Sequence, residues 1–327
     1  MEAYRVERLG GIEALTRTDV PLPEPGLGQI RIAVRAAGLH LADAAVLSGQ
    51  RQPRLQPPLI PGFEVSGTVE AVGGDVSGFE PGQNVIAFLR SGGLAEAAIA
   101  EAALTVPLPE GLIFARAAGL PLAYAGGLMA LRDRAGLASG ERLAVLGAGG
   151  QTGLAAIDLG KRLGAEVLAV AGQAARLETA RQLGADHAID ASAGPVGEAI
   201  GEATGGHGVD VVFDPVGGDG PAAVLPALAM GGRVVSVGFA SGRAPALAIP
   251  ALHARDGVLL TTNLALMIAR QPERARAALE EVAGWTVAGE IRPRIAAQFG
   301  FDEVRQAFDY VMARRDAGSV VIAMAAD

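Results

Sequence analysis

Apolar and polar residues alternate along two stretches of the first third of the chain, residues 30–35 and residues 64–71. Alternation with a period of two is typical of strands that bury one face. Turns rich in glycine and proline separate these stretches from shorter apolar runs at 84–88 and 95–100. Because such turns end strands and reverse the chain, residues 1 to about 120 are predicted to form a small antiparallel β-barrel.

From about residue 123, apolar runs of strand length alternate with segments of helical periodicity. The predicted strands are 143–146, 167–171, 187–189, 209–213, 233–237 and 258–261. Pro226 is expected to shorten the helix that follows Asp219, because proline removes a backbone donor from a helix interior. Strands joined by helices through short loops predict a parallel, doubly wound sheet.

The last 65 or so residues return to a mixed pattern that ends in a strand at 319–324. Two helices are predicted there, one starting at Pro272 and one capped by Asp302. Their inward faces are predicted to contain Ala275, Ala278, Leu279 and Val282 in the first, and Val304, Ala307, Phe308, Val311 and Met312 in the second. The sheet domain, residues 123–261, is therefore predicted to be inserted into a domain formed by residues 1–122 and 262–327.

A glycine-rich turn follows the first strand of the sheet domain and reads Gly147-x-x-Gly150-Gln151-Thr152-Gly153. Such a turn brings the N–H groups of a helix N-terminus close to a pyrophosphate, and glycine lets the phosphates approach. A second apolar strand about twenty residues later completes the strand–helix–strand unit of dinucleotide-binding domains. The alternative is an ordinary glycine-rich loop, since the chain contains 46 glycines.

Composition and charge exclude several other classes of protein. The net charge of −8 gives no basic surplus to neutralise the phosphates of a nucleic acid. The chain has no cysteine, which excludes disulfides, thiol nucleophiles and thiolate zinc sites. The first residues lack the apolar segment of a signal peptide, and the nearly uncharged stretch 117–131 is short for a membrane span. We therefore expect a cytoplasmic protein with no nucleic-acid or membrane partner.

Several short motifs occur along the chain in a characteristic order. They are Ala36–Asp43, Pro61–Gly67, Gly78–Gly82, Gly92–Glu96, Leu183–His187, Gly208–Asp214 and Gly231–Arg233. In this order they resemble the medium-chain dehydrogenase/reductase superfamily, in its zinc-free quinone oxidoreductase (zeta-crystallin-like) branch. The resemblance implies an α/β fold in which a Rossmann domain is inserted into a GroES-like β-barrel catalytic domain. It also implies hydride transfer from NADPH to a quinone or conjugated carbonyl, with the nicotinamide in a cleft between the domains, and a homodimer.

The resemblance also implies which residues bind the coenzyme. Gly147 and Gly150 to Gly153 match the phosphate turn, where Gln151 and Thr152 replace a Gly-Val pair and either contact the pyrophosphate or only cap the helix. The remaining predicted coenzyme contacts are Gly172, Gln173, Arg176, Asp214, Val216, Gly238, Phe239 and Ala240. Because no carboxylate ends the second strand, and because a guanidinium can bind a 2′-phosphate, Arg176 predicts NADPH rather than NADH. The alternative for Arg176 is a solvated helix residue.

His40 is the predicted catalytic residue, at a position that is commonly Asn in this branch. A histidine there is expected to donate a hydrogen bond or a proton to the substrate. The alternative is that it only replaces the structural hydrogen bond of the asparagine. Phe63, Phe239 and Asn263 are predicted to contact the substrate together with His40. The neighbouring Asp43 is expected to hold the local backbone.

No metal site is predicted, because the position that holds a histidine ligand in zinc-dependent relatives is Phe63 here. Without a Lewis acid, the reduction of an electrophilic quinone or enone requires less assistance than alcohol oxidation. Two alternatives remain open. One is an enoyl thioester or 2-alkenal reductase of the same superfamily, and the other is a non-catalytic NADPH-binding protein.

Overall fold

The computed structural model of the protein describes residues 1–50, 55–313 and 317–324. The chain divides into two compact units: the first is Met1–Ala125, Gln271–Gly289 and Pro293–Asp327, and the second is Gly126–Arg270 with Glu290–Arg292. The second unit therefore extends to residue 270, whereas the sequence placed the boundary at 261/262. Thr262 and Leu264 account for this difference, because Thr262 N donates to Ser236 O over 2.9 Å and Leu264 packs against Gly126.

The strands are numbered in chain order. They are β1 (Glu2–Val6), β2 (Leu15–Asp19), β3 (Gln29–Leu39), β4 (Glu64–Val72), β5 (Asn84–Phe88), β6 (Ala97–Glu101), β7 (Thr105–Pro107), β8 (Arg142–Leu146), β9 (Glu166–Ala171), β10 (His187–Asp190), β11 (Val209–Asp214), β12 (Leu228–Ser236), β13 (Val258–Thr261), β14 (Ile295–Gly300) and β15 (Ser319–Ala323).

The helices are also numbered in chain order. They are α1 (Leu41–Leu47), α2 (Phe114–Ala117), α3 (Gly126–Leu128), α4 (Gln151–Arg162), α5 (Ala174–Gln182), α6 (Val196–Ala203), α7 (Gly220–Val224), α8 (Ile249–His253), α9 (Leu264–Arg270), α10 (Pro272–Ala288) and α11 (Val304–Ala313). Short 3₁₀ turns lie at Ile12–Ala14, Ala102–Leu104, Leu225–Ala227 and Phe301–Glu303, and π-helical turns lie at Pro121–Ala125 and Met129–Arg134.

The first unit is built on a seven-stranded sheet in the order β14-β15-β3-β4-β5-β7, with β6 also paired to β3. All pairs are antiparallel except β14 with β15. The alternating residues Ile30, Ile32 and Val34 of β3 lie in the core of this unit, as the pattern predicted. The run predicted at 95–100 is displaced, because Ala95 forms only an isolated bridge to Ala3 and β6 begins at Ala97.

The second unit contains a six-stranded sheet in the order β10-β9-β8-β11-β12-β13, and every pair is parallel. The six strands predicted for this region are all present. β12 begins at Leu228 rather than Arg233, because its pairing with β11 shifts register between Val209 and Val211 and Gly231 takes a φ of 71°. The break at Pro226 is confirmed, since α7 ends at Val224 and a 3₁₀ turn follows.

The two C-terminal helices differ in how well the sequence predicted their buried faces. In α10, Ala275, Ala278, Leu279 and Val282 are buried as predicted. In α11 the prediction for Met312 is wrong, because its side chain is 53% exposed. It lies in the last turn before the helix ends at Ala313, beyond the buried part of the helix.

The helical run Phe114–Arg134 is long and apolar enough to cross a membrane by composition alone. Its most apolar window is 83% buried inside the protein. Core helices of soluble proteins meet the same criterion, so the run is weak evidence for a membrane span.

Gly153 lets α4 begin directly against the turn that follows β8. A Cβ atom at this position would lie 2.3 Å from Gly147 O. We expect Gly153→Ala to lower the free energy of unfolding by about 1–3 kcal/mol, because the backbone must move to accept the methyl group. Gly201→Ala in α6 is the matched control, since no atom lies within 4 Å of its Cβ position. It should be neutral or stabilise by up to about 1 kcal/mol. Urea unfolding measures the stability of both variants. An equal loss of stability in the two would contradict the conclusion that position 153 requires glycine.

Candidate functional site

The candidate coenzyme site starts at the glycine turn between β8 and α4. Gly147 has a φ of 61°, which favours glycine, and its carbonyl oxygen accepts from Gly150 N over 2.9 Å. Gly150 is the N-cap of α4 and provides no side-chain acceptor for the first N–H groups of the helix. Those N–H groups and the helix dipole form a site suited to an anion.

Arg176, in the first turn of α5, lies against this glycine turn. A Cβ atom at Gly149 would be 2.3 Å from Arg176 Cδ, so only glycine leaves room for the arginine side chain. Gln173 is the N-cap of α5 and, like Gly172, is exposed. From Gly172 to Arg176 there is no carboxylate. The structure therefore brings the predicted 2′-phosphate contact next to the predicted phosphate turn.

The loops after β11 and β12 lie at the same edge of the sheet. A Cβ atom at Gly147 would be 2.6 Å from Val216 Cγ2, so the glycine turn contacts the loop after β11. Ala240 N donates to Pro215 O over 3.1 Å, which joins that loop to the loop after β12. Phe239 lies in the latter loop and is 57% exposed. Ligands of doubly wound sheets bind at this carboxyl edge.

Four buried side-chain atoms at the carboxyl edge have no hydrogen-bond partner within the described residues. They are Gln151 Nε2, Asp214 Oδ2, Ser236 Oγ and Thr262 Oγ1. Gln151 begins α4, and the other three end or follow β11, β12 and β13, which are neighbours in the sheet. Asp214 and Ser236 are register partners. Buried polar atoms are rarely left unpaired, so this set at one edge of the sheet is a candidate site for contacts with a polar ligand.

Asp214 is fully buried, and its Oδ1 accepts from Val216 N and Gly217 N, both over 2.9 Å. Burial raises the pKa of its carboxyl above the ordinary value, while the hydrogen bonds from Gly217 and Val216 act in the opposite direction. The carboxylate form is therefore destabilised in the protein without a ligand.

In the first unit, His40 contacts a buried carboxylate. His40 is 8% exposed, Glu64 is fully buried, and the distance from His40 Nε2 to Glu64 Oε1 is 2.5 Å. Glu64 Oε2 accepts from Leu122 N over 2.7 Å. Asp43 accepts from His40 N through Oδ2 and from Gly62 N through Oδ1, so it holds the local backbone as expected.

Two further predicted positions, Phe63 and Asn263, have structural roles, whereas Thr152 is only partly buried. Phe63 is 3% exposed and belongs to the core of the first unit. Asn263 Oδ1 accepts from Leu266 N over 3.2 Å at the start of α9. Thr152 lies in the first turn of α4 and is partly buried. Substrate contact by Phe63 and Asn263 and pyrophosphate contact by Thr152 stay predictions.

Comparison with known proteins agrees with this architecture. The family model for the zinc-binding dehydrogenase domain matches residues 183–322, and the model for the alcohol dehydrogenase GroES-like domain matches residues 26–110. The chain is 36% identical to quinone oxidoreductase-like protein 2 from Bos taurus over 305 residues, which cover 90% of this chain and 85% of the relative. The chain belongs to the medium-chain dehydrogenase/reductase superfamily, in its quinone oxidoreductase branch.

Two solved structures of this superfamily are similar over nearly the whole chain. Escherichia coli quinone oxidoreductase complexed with NADPH has a TM-score of 0.92 at 25% identity, with 99% of this chain and 100% of that chain covered. CurK enoyl reductase has a TM-score of 0.89 at 26% identity, with 99% of each chain covered. The protein is thus an NAD(P)-dependent oxidoreductase of the superfamily, with a GroES-like N-terminal domain and a Rossmann sheet.

One of the two matching family models is described as a zinc-binding dehydrogenase. The residues of this chain, however, do not provide the ligands of a zinc site. The chain has no cysteine. Within residues 1–50, 55–313 and 317–324, no three His, Asp or Glu side chains are grouped so that they could hold a metal ion.

Three residues that contribute to these sites were not predicted as site residues from the sequence. They are Ser236, Thr262 and Glu64. A serine or threonine at the carboxyl end of an apolar strand is a detectable signal, because ligands bind at that edge. Glu64 gave no such signal, because its role depends on a contact with His40, which is 24 residues away in the chain.

The raised pKa of Asp214 predicts a stability effect that depends on pH. A raised folded-state pKa means that the folded protein loses stability as the pH rises through it. Asp214→Asn keeps the acceptor for Val216 N and Gly217 N but carries no charge. We expect it to increase the free energy of unfolding at about pH 7, and to lose this gain below about pH 4, the ordinary pKa of an aspartate.

Asp210→Asn is the matched control on the same strand. Asp210 Oδ2 accepts from Arg142 N over 2.8 Å in a partly exposed position. This variant should show no gain at neutral pH. Unfolding by urea across the pH range measures both, and a neutral-pH loss in Asp214→Asn would count against the burial effect.

Proposed function

We propose that this protein is an NADPH-dependent reductase of quinones or α,β-unsaturated carbonyl compounds and works without a metal ion. The observation that carries this proposal is the set of four buried, unpaired polar atoms at the carboxyl edge of the second unit. One of them belongs to the residue that follows the glycine turn, and the other three lie at the ends of the neighbouring strands β11, β12 and β13, so the donor and acceptor set suits a polar coenzyme that extends along this edge.

The residues that would hold the coenzyme fall into three groups along the edge. The N–H groups at the start of α4, with Gln151 and Thr152, suit the pyrophosphate. Arg176, with Gly172 and Gln173, suits the adenosine end. The loops with Val216 and with Gly238 to Ala240 suit the nicotinamide end, near Asp214. When bound, the reduced nicotinamide supplies a hydride.

The proton that completes the reduction is assigned to His40. An imidazole held against a carboxyl group by a hydrogen bond has a fixed orientation, which suits a group that donates a proton. A quinone or enone is already electrophilic, so binding and orientation by the protein supply much of what the reaction requires. The lack of cysteine supports a reaction that does not depend on zinc.

A second enzymatic candidate is the reduction of an enoyl thioester or 2-alkenal. The similarity to CurK enoyl reductase favours it, because that structure matches nearly as well as the quinone oxidoreductase. A non-catalytic NADPH-binding protein is the remaining alternative from a different class.

The test is the rate of NADPH consumption with a panel of quinones, enones, 2-alkenals and enoyl thioesters, with calorimetry of NADPH binding alongside. We expect turnover with a quinone or enone as the preferred acceptor. Preference for an enoyl thioester or alkenal would move the assignment to the second candidate. Tight binding of NADPH with no turnover of any acceptor in the panel would support the non-catalytic alternative.

Coenzyme preference depends on Arg176 in this proposal. We expect Arg176→Ala to raise the Kd for NADPH about tenfold or more, equivalent to about 1.4 kcal/mol, and to leave the Kd for NADH nearly unchanged. Arg181→Ala, an exposed arginine in the same helix that pairs with Glu178, is the matched control and should change neither value. Equal weakening of both coenzymes by Arg176→Ala would show that Arg176 does not recognise the 2′-phosphate.

We further propose a cytoplasmic homodimer with no nucleic-acid or membrane partner. β13 is the edge strand of the six-stranded sheet, and its Val258 and Leu259 are 45% and 39% exposed. An exposed apolar edge strand favours pairing with a second copy of the same strand. The net charge of −8 disfavours nucleic acid. Sedimentation velocity measures the oligomeric state, and a monomer at micromolar concentration would contradict the dimer.

A further inference from the structure

Glu64 is a fully buried acid whose two carboxyl oxygens have different partners. Oε1 contacts His40 Nε2 at 2.5 Å, and Oε2 accepts from Leu122 N over 2.7 Å. A backbone N–H can only donate, so Oε2 must be an acceptor. His40 Nε2 and Glu64 Oε1 share one proton in this contact, and when Oε1 is the acceptor that proton lies on Nε2.

The backbone around this pair leaves room for the carboxylate. A Cβ atom at Gly38 would lie 1.9 Å from Glu64 Oε1 and 2.6 Å from Ala118 O, so the approach of Glu64 requires glycine there. Asp43 fixes the other side, because it accepts from the backbone N–H groups of His40 and Gly62. The chain therefore holds both the histidine backbone and the glutamate side chain in place.

We infer that Glu64 is the positioning residue of His40: its buried carboxylate fixes the orientation of the imidazole and keeps a proton on Nε2. The proton position is a property of the protein itself and does not depend on catalysis. Its consequence for turnover rests on the proposed function, in which His40 supplies a proton. Removing the carboxylate would then change the proton position in the ring and slow the reaction while leaving coenzyme binding intact.

Ionisable side chains from two neighbouring elements form hydrogen bonds with His40. They are Glu64 from β4, through the ring, and Asp43 from α1, through the backbone N–H. The third neighbour, Leu122 of the π-helical turn, contributes only a backbone N–H to Glu64. Glu64 is thus the carboxylate in direct contact with the ring, and the variant that tests the inference is Glu64→Gln.

The direct measurement is the ¹⁵N spectrum of the histidine side chains in the full-length protein without coenzyme. The chain has four histidines, and His40→Asn assigns the His40 signals. We expect a protonated Nε2 in the wild type. In Glu64→Gln the amide oxygen keeps the bond from Leu122 N, so the amide NH₂ faces the ring. His40 Nε2 should then become an acceptor and lose its proton.

Glu70→Gln is the matched control, because Glu70 lies on the same strand but is exposed and pairs with Arg31. It should leave the His40 signals unchanged. An unprotonated Nε2 in the wild type would overturn the inference, and so would a His40 signal that does not respond to Glu64→Gln. The wild-type spectrum shows whether Nε2 carries a proton even if Glu64→Gln does not fold.

Kinetics separate positioning from a merely structural role. We expect Glu64→Gln to lower kcat about tenfold or more and by no more than the factor of about 10²–10⁴ that acid–base catalysis contributes, with the Kd for NADPH unchanged. If Glu64 acts through His40, the double variant with His40→Asn should be no slower than His40→Asn alone. Additive losses would contradict a role through His40. A wild type that turns over no acceptor would refute the proposed function, whereas the spectrum would still test the proton position.

Discussion

The structure depends on a conflict between burial and hydrogen bonding at one edge of the second unit. A buried polar atom without a partner costs about 1–3 kcal/mol, so a fold that stabilises only itself would pair such atoms or replace them. Here Gln151, Asp214, Ser236 and Thr262 each keep one, at the start of α4 and at the ends of three neighbouring strands. In the function proposed above, a bound dinucleotide supplies the missing partners, and the free energy lost on burial is recovered on binding.

Around His40 in the first unit, the buried carboxylates have hydrogen-bond partners. Glu64, Asp43 and His40 are all buried, and each carboxylate has a hydrogen-bond partner at both oxygens. Such a network holds its members in one geometry. The second unit thus presents unpaired groups that suit a ligand, whereas the first unit holds a histidine at a defined position.

Sequence reasoning predicted the fold well because the signals were local. Period-two alternation located β3 and β4, and apolar runs separated by helices located all six strands of the parallel sheet. Glycines such as Gly147 and Gly153 marked the turn, because their conformation and close contacts require glycine. Features that depend on contacts between distant parts of the chain were predicted less well from the sequence.

The start of β12 depends on a register shift, and the exposure of Met312 depends on where α11 ends. The partner of His40 is a strand residue that only the folded chain brings next to it.

The most direct test of the central claim is amide hydrogen exchange of the protein with and without NADPH. If the coenzyme completes the hydrogen bonds at the carboxyl edge, exchange should slow in residues 147–153, 214–217 and 236–240, while the β14–β15 pair of the first unit serves as the unaffected reference. Unchanged exchange in those three segments at saturating NADPH would contradict the account.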